Sequence, residues 1–174
     1  VAAVLPLAAG RPLPLGRGLH AVRQLRVEDR AEQLAAKRAE GLALFAQGRH
    51  AAALEPLAFA ARDNSDTEVV LALAESRMKV PEANARHLTT AAAYFRSVHA
   101  REQRNERAMR GLLEAYVAMG HLPEIQPVLR RLLEVAPRDV RAHEIELEVL
   151  NLTGKFAEGA AKARELQRRL HRSA

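Results

Sequence analysis

ERAMRGLLEAYVAMGHLPEIQPVLRRLLEVAPRDVRAHEIELEVLNLTGKFAEGAAKARELQ, residues 106–167, carries one pattern twice. Met109, Leu112, Leu113 and Tyr116 lead up to Gly120, and Ile145, Leu147, Val149 and Leu150 lead up to Gly154. The two glycines stand 34 residues apart. Behind each runs a second series: Ile125, Leu129 and Leu132 after the first, Gly159, Ala163 and Leu166 after the second. Glycine just past a periodic apolar run is the usual chemistry of a helix end. The unit therefore reads as helix, turn, helix, with Pro137 and Asp139 placed just before the second copy begins. A fixed period of this size predicts stacked helical hairpins that share one core.

Upstream the same pattern continues with one irregularity. From Val27 a helical series runs through Leu34, Ala35, Ala39, Leu42, Leu44 and Phe45, and Gln47-Gly48-Arg49 ends it. A second helix over 51–62 places Ala53, Leu57 and Ala60 on one stripe. Pro56 sits in its middle, lacks an amide donor, and is expected to kink it. Asp63-Asn64-Ser65-Asp66 is a turn cluster rich in capping residues. The next unit opens with a helix over 69–78, but its turn, residues 79–86, contains Pro81 and Asn84 and no glycine. With Arg86 in the place of Gly48 that interval is 38 residues, and from Arg86 to Gly120 it is 34 again. Ala91, Phe95 and Val98 then repeat the places of Ala53, Leu57 and Ala60. The units are 34–67, 68–105, 106–139 and 140–173.

The match is to a known family. Gly48, Gly120 and Gly154 stand at its turn glycine, and Gly41 at its small first-helix position. Ala53 and Ala60 match its second-helix alanines, Tyr116 its first-helix aromatic, and Pro137 its terminal proline. The chain resembles the tetratricopeptide repeat (TPR) family over residues 34–170. Departures are Lys37 and His143 where the family often has Trp, Glu40 and Glu146 where it has Leu, and Ile125 and Gly159 where it has Ala. The resemblance implies an all-α, right-handed α-solenoid of about four repeats. The family commonly ends in a further solvating helix; only four residues follow Leu170 here, so the last hairpin is expected to be uncapped.

Composition agrees with packed helices. Of 174 residues 48% are apolar but only 3% aromatic, a mix that suits helices better than sheets. There is no Cys, which excludes disulfides, thiolate metal sites and cysteine nucleophiles. Net charge is +6, and it lies at the ends. Residues 1–27 hold four Arg and no acid, whereas 28–161 hold 18 bases and 20 acids. A nucleic-acid-binding array would instead carry a basic stripe along its repeats. Residues 1–26 have a short apolar run broken by Pro6, Gly10, Pro12 and Pro14, well below the roughly 20 apolar residues of a membrane span. They are expected to be a flexible leader, or the remnant of a targeting or anchoring segment. The excess of Ala, Arg and Leu over Lys, Ile and Asn points to a GC-rich bacterial genome, and the expected location is cytoplasmic, or membrane-tethered or exported if an N-terminal segment is missing.

No catalytic signature emerges, and the chain is expected not to be an enzyme. None of Ser65, Ser76, Ser97 and Ser173 sits in a G-x-S-x-G elbow. His143-Glu144 begins like a zincin motif, but Leu147 stands where the second His is needed. His50 and His121 read as solvated turn residues. No cofactor or metal is expected. In the family, first-helix residues line a concave face that holds extended or helical peptides. The matching positions are Arg38, Leu42, Phe45, Ser76, Lys79, Arg107, Arg110, Glu114, Val117, Arg141, Glu144, Glu148 and Asn151. They predict a polar groove of both signs, unlike the Lys/Asn carboxylate clamp of some relatives. The expected role is a non-catalytic adaptor that binds another protein or peptide there. The alternative, an RNA-binding helical repeat, is opposed by Arg38, Ala72, Arg110 and Glu144, which are not the small polar residues of base readers. Two further contacts are expected: the basic ends with anionic lipid, and the uncapped last repeat with a second copy.

Overall fold

The computed structural model describes residues 15–62 and 65–171. Among them are eight α-helices and no strand: α1 (Leu15–Ala46), α2 (His50–Ala60), α3 (Thr67–Lys79), α4 (Arg86–Arg101), α5 (Glu106–Met119), α6 (Leu122–Val135), α7 (Val140–Leu152) and α8 (Phe156–His171). They form four antiparallel hairpins, each packed on the next, and the whole is an all-α helical-repeat solenoid.

Two kinds of connection alternate along it. Inside the first, third and fourth hairpins the chain turns through Gly48, Gly120 and Gly154, all left-handed at φ near +70°. The Gly120 amide donates to the Val117 carbonyl and the His121 amide to the Tyr116 carbonyl. The pairs Gly48–Phe45 with Arg49–Leu44, and Gly154–Asn151 with Lys155–Leu150, repeat that closure. Such paired bonds satisfy carbonyls that a helix end leaves open. Between hairpins the chain instead starts a helix on a side-chain cap. Asp66 accepts from the Glu68 and Val69 amides, Asn105 from Ala108, and Asp139 from Ala142.

The second hairpin departs from the glycine rule, and its left-handed residues are Asn84 and Ala85, both at φ 55°. Arg86 was expected at the turn glycine's place but is already the right-handed start of α4. Pro81 and a 3₁₀ turn over Ala83–Ala85 take up the extra residues. A Cβ in the left-handed region costs about 1 kcal/mol or more, and Asn tolerates it better than Ala does. Ala85→Gly is therefore expected to raise stability by about 0.5–1 kcal/mol, with Asn84→Gly nearly neutral. A urea midpoint unchanged or lowered by Ala85→Gly would contradict this.

Helix α1 starts at Leu15, so residues 15–26 of the expected leader are helical, while residues 1–14 lie outside the described residues. Pro14 is followed by no further proline until Pro56, and Leu15, Leu19, Val22 and Leu25 recur at helical spacing. Helix α2 runs as one element through Pro56, which is itself buried.

The core follows the small residues. Ala53, Ala72, Ala91 and Ala108 are fully enclosed and let neighbouring helices approach, while Leu57, Leu73, Phe95, Met109, Ile125 and Leu132 fill the space between them. Helix α3 is buried from Val69 to Ala74, because it packs on α2 and α4 and also touches α1 and α5. The last hairpin is more polar. His143 stands at a family Trp position; its Nε2 lies 3.0 Å from the Pro137 carbonyl and its Nδ1 3.2 Å from Glu146. Lys162 of α8 reaches the same Glu146 at 3.0 Å. Leu152 and Phe156, around the last turn, remain 70% and 67% exposed.

Candidate partner-binding groove

Successive first helices meet directly. Helix α3 touches both α1 and α5, so the first helices of the first three hairpins lie side by side. Arg107 shows how closely they gather. Its guanidinium, from α5, reaches Glu75 of α3 at 2.6 Å and Glu68 at 2.8 Å. The same group lies 5.7 Å from the centre of the Phe45 ring on α1, within cation–π range. One side chain thus spans three first helices.

Comparable bridges join the other repeats. Arg38 Nε is 2.6 Å from Asp66, the cap of α3. Arg110 pairs with Asp139, the cap of α7, and with Glu106 at 2.8 Å. Arg141 Nε is 2.8 Å from Glu114, and its Nη1 lies 3.2 Å from Glu144 and 3.3 Å from Glu148. Both Arg107 and Arg141 are held firmly in the charged form by the Glu75 and Glu114 carboxylates respectively, against the effect of partial burial. Partial burial would raise the Asp66 carboxyl, but the Arg38 hydrogen bond and the Val69 and Glu68 amides outweigh it and hold it below the usual carboxylate range.

The predicted positions fall into three groups. Arg38, Arg107, Arg110, Glu114, Arg141, Glu144 and Glu148 are brought together in this inter-repeat network. Leu42, Phe45 and Val117 are half-buried against the core, and Lys79 is exposed at the end of α3. Ser76 lies elsewhere: it is fully buried, with its Oγ 3.4 Å from His50 Nδ1. His50 is no solvated turn residue either, because it starts α2 with its ring edge-on to Phe45 at 5.7 Å. Exposed His121 stacks on Tyr116. Asn151 lies against Gly159 of α8.

Sequence reasoning passed over Asp66, Glu68, Glu75, Glu106 and Asp139 as groove groups. It also missed a cleft of about 470 Å³ between α6 and the last hairpin. Leu129, Leu133, Val149 and Leu150 line it with a charged rim that includes Arg130 and Lys155. Among the described residues no group of three or more His, Asp or Glu side chains is placed to hold a metal ion. No helix among them is long and apolar enough to cross a membrane.

No protein-family model matches the chain, and no curated protein sequence matches it. Solved structures do. MamA matches with a TM-score of 0.71 at 14% identity, over 80% of this chain and 80% of that one. TTC0263, a TPR protein of Thermus thermophilus, is 26% identical, with a TM-score of 0.57 over 76% and 72% of the two chains. The first TPR of Spaghetti (RPAP3), solved with an HSP90 peptide, matches at 16% identity and a TM-score of 0.55, over 72% and 97%. The turn glycines, the small residues between helices and these neighbours agree: in its fold the chain is a tetratricopeptide-repeat protein.

Proposed function

We propose that the chain is a non-catalytic interaction scaffold that holds a protein or peptide segment against the inner face of α1, α3, α5 and α7. The observation that carries this reading is Arg107, which spans three first helices and so supports a continuous surface across α1, α3 and α5. A TPR of the same fold holds an HSP90 peptide, which supports a peptide or protein as the kind of ligand. The RNA alternative fares worse, because the groove arginines that could meet phosphate are occupied by carboxylates of the chain itself.

Photo-crosslinking tests the reading. A benzophenone side chain at Glu144 in the groove should trap a discrete protein in lysate, and one at Glu124 on α6 should not. Trapping of the same protein from both positions would move the contact elsewhere. Loss of the adduct on nuclease treatment would favour nucleic acid.

A further inference from the structure

We infer that the groove selects a cationic protein segment, one carrying several Arg or Lys side chains, and that its own arginines are engaged in bridging successive repeats instead of gripping the partner. This rests on the groove reading above and adds the partner's chemistry. Arg38 meets one carboxylate, Arg107 two, Arg110 two and Arg141 three. An incoming carboxylate or phosphate would have to displace a carboxylate already bonded, and would meet the like charge of the others.

The carboxylates are also in excess. Eight of them surround four guanidiniums, and Lys79 adds one further cation among the predicted groove positions; Lys37 of α1 and Arg77 of α3 have carboxylate partners of their own in Glu40, Glu55 and Glu82. Around Arg141 a single positive charge is shared by Glu114, Glu144 and Glu148, and the last two side chains are 55% and 50% exposed. This sign runs against the chain as a whole, which carries +6. A basic peptide is repelled by the basic ends, where the net positive charge lies, and attracted at this face. Half-buried Leu42, Phe45, Met78 and Val117 on the same helices offer apolar contact to the stems of Arg and Lys side chains.

The test is fluorescence anisotropy of the full chain with two fluorescein-labelled peptide mixtures of about twelve residues. One has Arg or Lys at every third position and the other Glu, the remainder being Ala, Leu and Ser in both. The basic mixture should bind at least tenfold more tightly, and less so as salt screens the groove. Glu144→Gln/Glu148→Gln should weaken it at least fivefold; Glu114 still holds Arg141 through Nε and Nη2 in that variant. Glu124→Gln/Glu134→Gln, the same charge change on α6, should alter it less than twofold. Equal or tighter binding of the acidic mixture, or equal weakening by the two double variants, would overturn the inference. If neither mixture bound while the Glu144 crosslink to a protein persisted, the cationic partner would be wrong and the groove reading would stand. Loss of that crosslink as well would remove the groove reading itself.

Discussion

Phe95→Ala is expected to lower the free energy of unfolding by about 3–5 kcal/mol, the range for truncating a buried aromatic side chain. Phe95 is fully buried on α4, and its ring lies directly against the backbone of α5 at Gly111. A Cβ added to Gly111 would come within 2.3 Å of the ring. The ring cannot swing away, because Ala91, Val98, Met109 and Leu112 are buried with it in one cluster. Gly111→Ala is therefore also destabilising: overpacking of about 1–3 kcal/mol or more outweighs the gain of up to about 1 kcal/mol from replacing a mid-helix glycine. Phe95→Leu, which shortens the ring side, should recover part of that loss. The two changes should be coupled in a double-mutant cycle. Urea unfolding of the four chains by circular dichroism is the measurement. A Gly111→Ala chain as stable as its parent, or losses that simply add, would show that α4 and α5 do not approach this closely. Because each repeat leans only on its neighbours, a lesion at this joint should also broaden the transition as the two halves uncouple.

Much of this arrangement is legible in the sequence, and the reasons are local. Gly48, Gly120 and Gly154 announce their turns because few residues other than glycine accept the left-handed conformation. The turn at 80–85 is obscure for the same reason: Asn84 and Ala85 adopt φ 55° without a glycine to mark it. Helix α3 hides its face, since Val69–Ala74 is enclosed on all sides and shows no polar stripe to contrast with. The groove helices follow from periodicity, whereas the pairing of their arginines does not. Arg38 and Asp66 are 28 residues apart, Arg110 and Asp139 are 29, Arg141 and Glu114 are 27, and Arg107 and Glu75 are 32. These pairs exist only once hairpins have stacked. The recurrence of Arg ahead of a capping Asp by nearly one repeat length is the signal that could have revealed them.

Asp139→Ala is expected to destabilise by about 1–2 kcal/mol, most of it the lost helix cap. This carboxylate has two tasks: Oδ1 accepts from the Ala142 amide at 2.9 Å, and Oδ2 pairs with Arg110 on the preceding first helix. Its side chain is only 5% exposed, yet Arg110 is 46% exposed, so the ion pair itself contributes little in salt. Asp139→Asn keeps an acceptor for the cap and removes the charge, so at pH 7 it should destabilise less than Asp139→Ala. The two substitutions separate in acid. Burial alone would raise the Asp139 carboxyl, but the Ala142 amide and the Arg110 guanidinium outweigh it and hold it below the usual carboxylate range. The unfolded chain then binds its proton first, at about pH 4. The stabilisation from this group is present above that value and is lost as pH falls through the lower folded value. Asn has no proton to bind, so the gap between the parent chain and Asp139→Asn should narrow from pH 7 to pH 3. Asp66, capping α3 and paired with Arg38, keeps part of the acid sensitivity in both chains. Urea midpoints at the two pH values decide the matter: a gap of unchanged size would mean that the charge on Asp139 does nothing to join the third and fourth hairpins.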